Sequence, residues 1–199
     1  MIPVALQPEP ADFDEKVRQP GLRWLTANGI DPDTPPPRAT ALPNYWTRSN
    51  RQLWEAYSGV CAYLAIFFEW VTGASSTDHF IAKSRHAGNA YEWNNFRLSC
   101  LGANRTKHQF DDLLDPIGLA PDTFFLNLAD GKIRPNPSSL SPDQKKAALK
   151  TIRRLRLNSP DHQDMRARHF SRYLESKDEK TLRELSPFVW YEAKRQELL

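Results

Sequence analysis

The chain has 199 residues, a net charge of +3, 40% hydrophobic and 11% aromatic residues, with six Trp and ten Phe, which suits one domain with a real core and excludes a disordered chain. Its longest apolar run, "VCAYLAIFFEWV", is interrupted by Glu69 and is shorter than the roughly 18 to 20 residues a membrane helix needs. The N-terminus lacks a basic start followed by an apolar run, so no signal peptide and a cytoplasmic location are expected, with no membrane partner and two reduced cysteines.

Residues 1–46 read as an extended, proline-rich arm, since "DPDTPPPRATALP" cannot sustain a helix or an interior strand. Within it, Trp24 and Leu25 can anchor a short helix. From Thr47 to Tyr57 the spacing of Leu53, Trp54 and Tyr57 predicts a helix. Cys61 to Glu69 and Ser76 to Ile81, separated by "TGASS", predict a hairpin. A polar loop from Ala82 to Asn94 leads to "FRLSC", a half-buried strand by its alternation, and "ANRTKHQFDDLLD" reads as a helix stopped by Pro116. The local order is strand, long loop, strand, helix.

The pattern is helical from Ser141 to the end. Ser141 is a candidate cap with Pro142 in the first turn, and Leu149, Ile152 and Leu155 recur on one side. Further helices are expected over 161–175, 178–185 and 187–198. Residues 145–199 carry 14 Lys and Arg against 8 Asp and Glu, a local +6, which leaves residues 1–144 at −3. A cationic helix face bearing Lys146, Lys150, Arg153 and Arg154 would suit a phosphate backbone or simply be solvated.

The segment from Thr77 to His108 concentrates groups that bind a metal or move a proton. Asp78 and His79 leave the first strand side by side, and the helix beginning near Asn104 returns past the same place. A carboxylate and an amide oxygen together suit Mg²⁺, or Mn²⁺, which keeps several waters in an oxygen shell. His79 is then free to act as a general base on water. Asn95 would hold the loop and with it the imidazole. Asn104, Lys107 and His108 share one helix face, where Lys107 can meet a phosphate and His108 can add a metal ligand. Lys83, Arg85 and Arg105 supply further cations around the motif.

The run "DHF", then "YEWNNFRLSC", then "NRTK" resembles the HNH nuclease family, whose ββα-metal motif cuts nucleic acid with one divalent ion. The resemblance covers Ser58 to His108. It implies an α+β fold with a nuclease core over residues 47–116 and a mostly helical extension over 117–199. It further implies Asp78 and Asn104 as metal ligands, His79 as base, Asn95 as the middle Asn, and DNA as substrate. Many members brace the motif with a zinc held by two Cys-x-x-Cys knuckles. The matching places here read "CAYL" and "CLGA", so only Cys61 and Cys100 remain of four thiolates. A structural zinc is therefore not expected, and packing by Leu64, Phe67 and Leu98 would take its place. His86 and His108 are the only available replacement ligands. Residues 114–136 and 151–170 resemble the C-terminal extension of bacterial HNH proteins in retron and Septu defence loci, which implies an ATPase partner and a role in anti-phage defence. The competing expectation is a catalytically inactive HNH-like module that binds nucleic acid or protein.

Overall fold

The computed structural model of the protein describes residues 1–199 apart from the side chain of Thr40. Its N-terminal segment departs from the expected arm. A π-helical turn over Asp14–Arg18 runs directly into α1 (Gln19–Ala27). The wider turn precedes Pro20, whose ring and missing N–H are tolerated in a first helical turn. Phe13, Val17 and Leu25 are fully buried in a cluster with Trp93, Phe96 and Leu98. Phe13 meets the Trp93 and Phe96 rings edge-on at 5.4 and 5.6 Å, an arrangement the aromatic quadrupole favours. The segment thus supplies core. The proline-rich stretch that suggested an arm covers only its second half.

After a 3₁₀ turn at Tyr45–Ser49, α2 (Asn50–Ala56) buries Leu53. The chain then turns at Gly59, where φ is +68° and an added Cβ would lie 2.7 Å from the Phe67 ring, so only glycine fits. Residues 60–67 form a tight loop, with Val60 bridged to Phe67 and the Cys61 and Ala65 amides donating to the Ile66 and Cys61 carbonyls. The expected strand at Cys61 to Glu69 is therefore absent. β1 (Ser75–His79) instead pairs antiparallel with β2 (Phe96–Cys100), in the register Ser75 to Cys100 through His79 to Phe96. β2 is buried along nearly its whole length. Arg97 on β2 is held to Asp115 by two hydrogen bonds of 2.7 and 2.5 Å.

α3 (Leu101–Lys107) follows β2 without a loop, and the Leu101 amide donates to the Ala74 carbonyl. It is shorter than expected. His108 has φ +51° and ψ −124°, which ends the helix well before Pro116.

A second hairpin, β3 (Phe124–Leu126) with β4 (Ile133–Pro135), was not foreseen in the helical extension. It packs against α4 (Pro142–Arg154) and α7 (Pro187–Arg195), while α5 (Pro160–Ser176) and α6 (Glu179–Leu185) pack on each other and on α7. Three of these helices start with Ser-Pro, the proline lying where a helix needs no donor. At α4 the Ser141 hydroxyl accepts from the Gln144 amide and the Gln144 side chain accepts from the Ser141 amide, a capping box. Ala148, Thr151, Ile152 and Leu155 are its buried face, whereas Leu149 is 52% exposed, against expectation. Leu149 lies one position past the true stripe.

The architecture is α+β, with seven α-helices and two two-stranded sheets among the described residues. No helix is long and apolar enough to cross a membrane among those residues.

Candidate functional site

β1 leads its chain out of the sheet at Asp78 and His79, and α3 lies along one face of that strand. Asn104 Nδ2 donates to Ser76 Oγ at 3.1 Å. One helical turn further on, Lys107 Nζ reaches 3.3 Å from Asp78 Oδ2. Ser76 and Asp78, two apart, share a strand face, so these two contacts align the helix with it. Asp78, His79, Lys83, Asn104 and His108 line one cleft of about 320 Å³, together with Trp46. Sequence spacing thus brought its principal candidates to one place.

The Asp78 carboxylate is only 3% exposed. Its Oδ2 accepts a hydrogen bond from the Tyr63 hydroxyl and faces Lys107. Burial pushes the carboxyl up, and the Lys107 ammonium and Tyr63 hydroxyl oppose the shift. A cation in the cleft would act in the same sense as Lys107.

His79 is half-buried. Its ring meets Trp46 at 4.8 Å and Phe96 at 5.3 Å, both edge-on, so it is less separate from the core than the sequence suggested. Nε2 lies 3.1 Å from the Ala90 carbonyl oxygen. A carbonyl only accepts, so Nε2 carries the hydrogen and Nδ1 is left with a lone pair. Burial lowers the imidazole to about 3, with the Ala90 contact opposing and the Lys83 and Lys107 charges assisting. The ring is neutral at pH 7.

Asn95 has no direct access to the cleft and holds its wall. Its Oδ1 accepts from the Ile81 amide at 2.8 Å, while Nδ2 donates to the Ile81 carbonyl at 3.0 Å and the Asn89 carbonyl at 2.9 Å. These bonds close the base of the loop over 80–94 and fix the peptide next to Ala90, whose oxygen fixes His79. His108, exposed at the cleft edge, holds a positive φ that costs a non-glycine residue about 1–3 kcal/mol.

The expected phosphate contacts divide. Lys83 stays at the cleft, its ammonium 4.1 Å from the Trp46 ring centroid, and burial lowers its pKa. Lys107 requires correction, because it is fully buried and donates to the His79 and Phe80 carbonyls at 2.8 and 3.1 Å. Its position three residues after Asn104 turns it toward the strand instead of the solvent. Arg85 is paired with Asp111 at 2.9 Å, and Lys150 with Asp112 at 3.1 Å. Arg154 stacks 3.9 Å over Phe110. Lys146 is exposed on the first half of α4. Arg105 and Arg153 line a different cleft. The cationic face is therefore not one continuous stripe.

Three site residues escaped the sequence reading. Tyr63 comes from the tight loop, Trp46 from the edge of the expected arm, and Ser76 from β1. Nothing in their spacing marked them, since each meets the site through tertiary contact alone.

Cys61 lies in the tight loop and Cys100 at the end of β2. Cys61, buried, and Cys100 are free thiols, and the Cys61 contact followed by burial pushes the Cys100 thiol well up. Leu64 and Ala103 are 5% exposed and share a core cluster with Cys61, against which Cys100 packs. Leu98 belongs instead to the cluster around α1, and Phe67 packs on Trp54. Of the expected packing residues only Leu64 shares the cluster of Cys61, and Ala103 joins it there in place of Phe67 and Leu98. His86 is held by the Asp33 carbonyl at 2.8 Å, away from both thiols.

The cleft carries one carboxylate, Asp78, two carboxamides, Asn104 and Gln109, and two imidazoles, His79 and His108. Among the described residues no group of three or more His, Cys, Asp or Glu side chains is placed to hold a metal ion. Oxygen donors with room for water are nonetheless the chemistry Mg²⁺ takes. No known protein-family model and no curated protein matches the chain.

Proposed function

We propose that the protein is a metal-dependent endonuclease or nickase of HNH type acting on DNA, and that the Asp78 to His108 cleft is its active site. The observation that carries the reading is the His79 tautomer, with Nε2–H spent on the Ala90 carbonyl and Nδ1 free as an acceptor. Asp78 and Asn104 would hold the ion through oxygen, with His108 at the rim as a further ligand. When bound, a divalent cation there supplies positive charge for the phosphorane and the leaving oxygen.

His79 Nδ1 takes a proton from water as the water oxygen attacks phosphorus. A new P–O bond forms, one bridging P–O bond breaks, and the leaving oxygen is protonated from solvent. Asn95 holds the loop that orients the base. Tyr63 and Lys107 hold one oxygen of Asp78, which leaves the other for a ligand. Lys83 stands where a substrate phosphate would enter. Phosphate contacts of this kind position a strand without reading its bases.

A second reading has one observation in its favour. Lys107 already offsets the Asp78 charge at 3.3 Å, as it would in an inactive HNH-like module that binds nucleic acid or protein without metal. The reading of the chain as part of an anti-phage system with an ATPase partner rests on its sequence resemblance alone.

Supercoiled plasmid incubated with the protein and Mg²⁺ or Mn²⁺ is expected to become open-circular or linear, and to stay supercoiled in EDTA. Plasmid that stays supercoiled with both metals would favour the inactive module.

A further inference from the structure

On the far side of α3 lies a second cleft of about 520 Å³, lined by Arg105, Thr106, Phe110, Arg153, Arg154 and Arg156. Four of its six lining residues are arginines, drawn from α3, from the end of α4 and from the turn after it. Arg156 is brought there by a left-handed turn, with φ +49° and its amide donating to the Arg153 carbonyl.

Arg154 is the only one of the four near a carboxylate among the described residues, 3.8 Å from Asp112. That carboxylate is already held by Lys150 at 3.1 Å. The Arg154 guanidinium lies flat on Phe110, and its Nε is buried with no hydrogen-bond partner. Arg105, Arg153 and Arg156 are exposed and make no ion pair among the described residues. Gathering four guanidinium groups costs mutual repulsion, which an anion would relieve. Planar forked donors match phosphate oxygens in particular.

Helix α3 is the wall between this cleft and the one holding His79. Asn104 and His108 line one side, and Arg105 and Thr106 the other. A helix with its side chains is about 10–12 Å across, so one nucleic-acid backbone can reach both clefts.

We infer that the arginine cleft between α3 and the end of α4 binds the nucleic-acid backbone, taking a phosphate close to the one in the cleft that holds His79. The placement relative to the scissile phosphate rests on the nuclease reading, whereas the affinity for backbone phosphate does not. The surface position of Arg105 and Arg156 leaves their removal without consequence for the core.

Anisotropy of a short fluorescein-labelled DNA duplex, measured in EDTA over a range of salt concentrations, tests the inference. Arg105→Gln with Arg156→Gln is expected to weaken binding to every sequence and to reduce the salt slope by about 1.8, at about 0.9 per phosphate contact. Arg105→Lys with Arg156→Lys keeps both charges and should keep most of that slope, which separates lost charge from a disturbed fold. Lys132→Gln with Lys145→Gln, exposed and outside the cleft, should leave the slope at the wild-type value. An unchanged slope in the double glutamine variant, or an equal fall in the Lys132 and Lys145 variant, would overturn the inference. The plasmid assay is read on wild-type protein, so absent cleavage with intact slope differences removes the nuclease reading alone.

Discussion

His79→Ala is expected to slow phosphodiester cleavage by about 10²- to 10⁴-fold, the usual contribution of a general base. The size follows from how completely the ring is prepared. Ala90 fixes which nitrogen carries hydrogen, and Trp46 and Phe96 fix the ring plane. The same packing means that the alanine variant loses some stability, of the order of 1 kcal/mol, so its fold must be verified by circular dichroism beside the rate. DNA affinity in EDTA should stay near the wild-type value, because the backbone contacts lie elsewhere. A single-turnover rate within a factor of two of the wild type would exclude His79 as the base.

Lys107→Ala is expected to destabilise the protein by about 3–5 kcal/mol, the range for breaking a buried ion pair by removing one partner. Lys107 is fully buried, its ammonium serves Asp78, and it satisfies two backbone carbonyls where β1 ends. Removing it leaves a 3%-exposed carboxyl with only Tyr63 beside it. Lys107→Met, which keeps the aliphatic stem, should recover the packing part and leave the charge part of the loss. Urea unfolding followed by Trp fluorescence reads both. A loss below about 1 kcal/mol for Lys107→Ala, as for an exposed pair, would mean that Lys107 does not support the strand end in this way.

Local chemistry made the candidate cleft legible in the sequence. Asp78 and His79 are adjacent, Asn104 follows β2 within one helical turn, and the order strand, loop, strand, helix survives in β1, β2 and α3. The polar identity of each residue carried the signal. What was misread depended on direction or on distance. An apolar, β-branched run at residues 60–69 has strand composition, yet Gly59 and the left-handed Ala65 fold it into a tight loop, and β1 pairs with a strand some 20 residues further on. Lys107 has the spacing of a surface cation, but the axis of α3 turns it inward. The short helix around Trp24 and Leu25 was legible, whereas the burial of Phe13 and Val17 in the core was obscured by the prolines that follow. The Ser-Pro start of α4 was readable because capping is local, whereas the β3–β4 hairpin, with three-residue strands, lacks enough alternation to register.

The central claim is that Asp78 and Asn104 hold a divalent ion beside a base at His79, and a titration of plasmid cleavage against Mn²⁺ separates those roles. The wild-type protein should show a saturable metal dependence. Asp78→Ala and Asn104→Ala should shift the midpoint to higher metal concentration, while His79→Ala should lower the plateau and leave the midpoint in place. Midpoints unchanged in both ligand variants, or cleavage by the wild-type protein that needs no metal, would contradict the account.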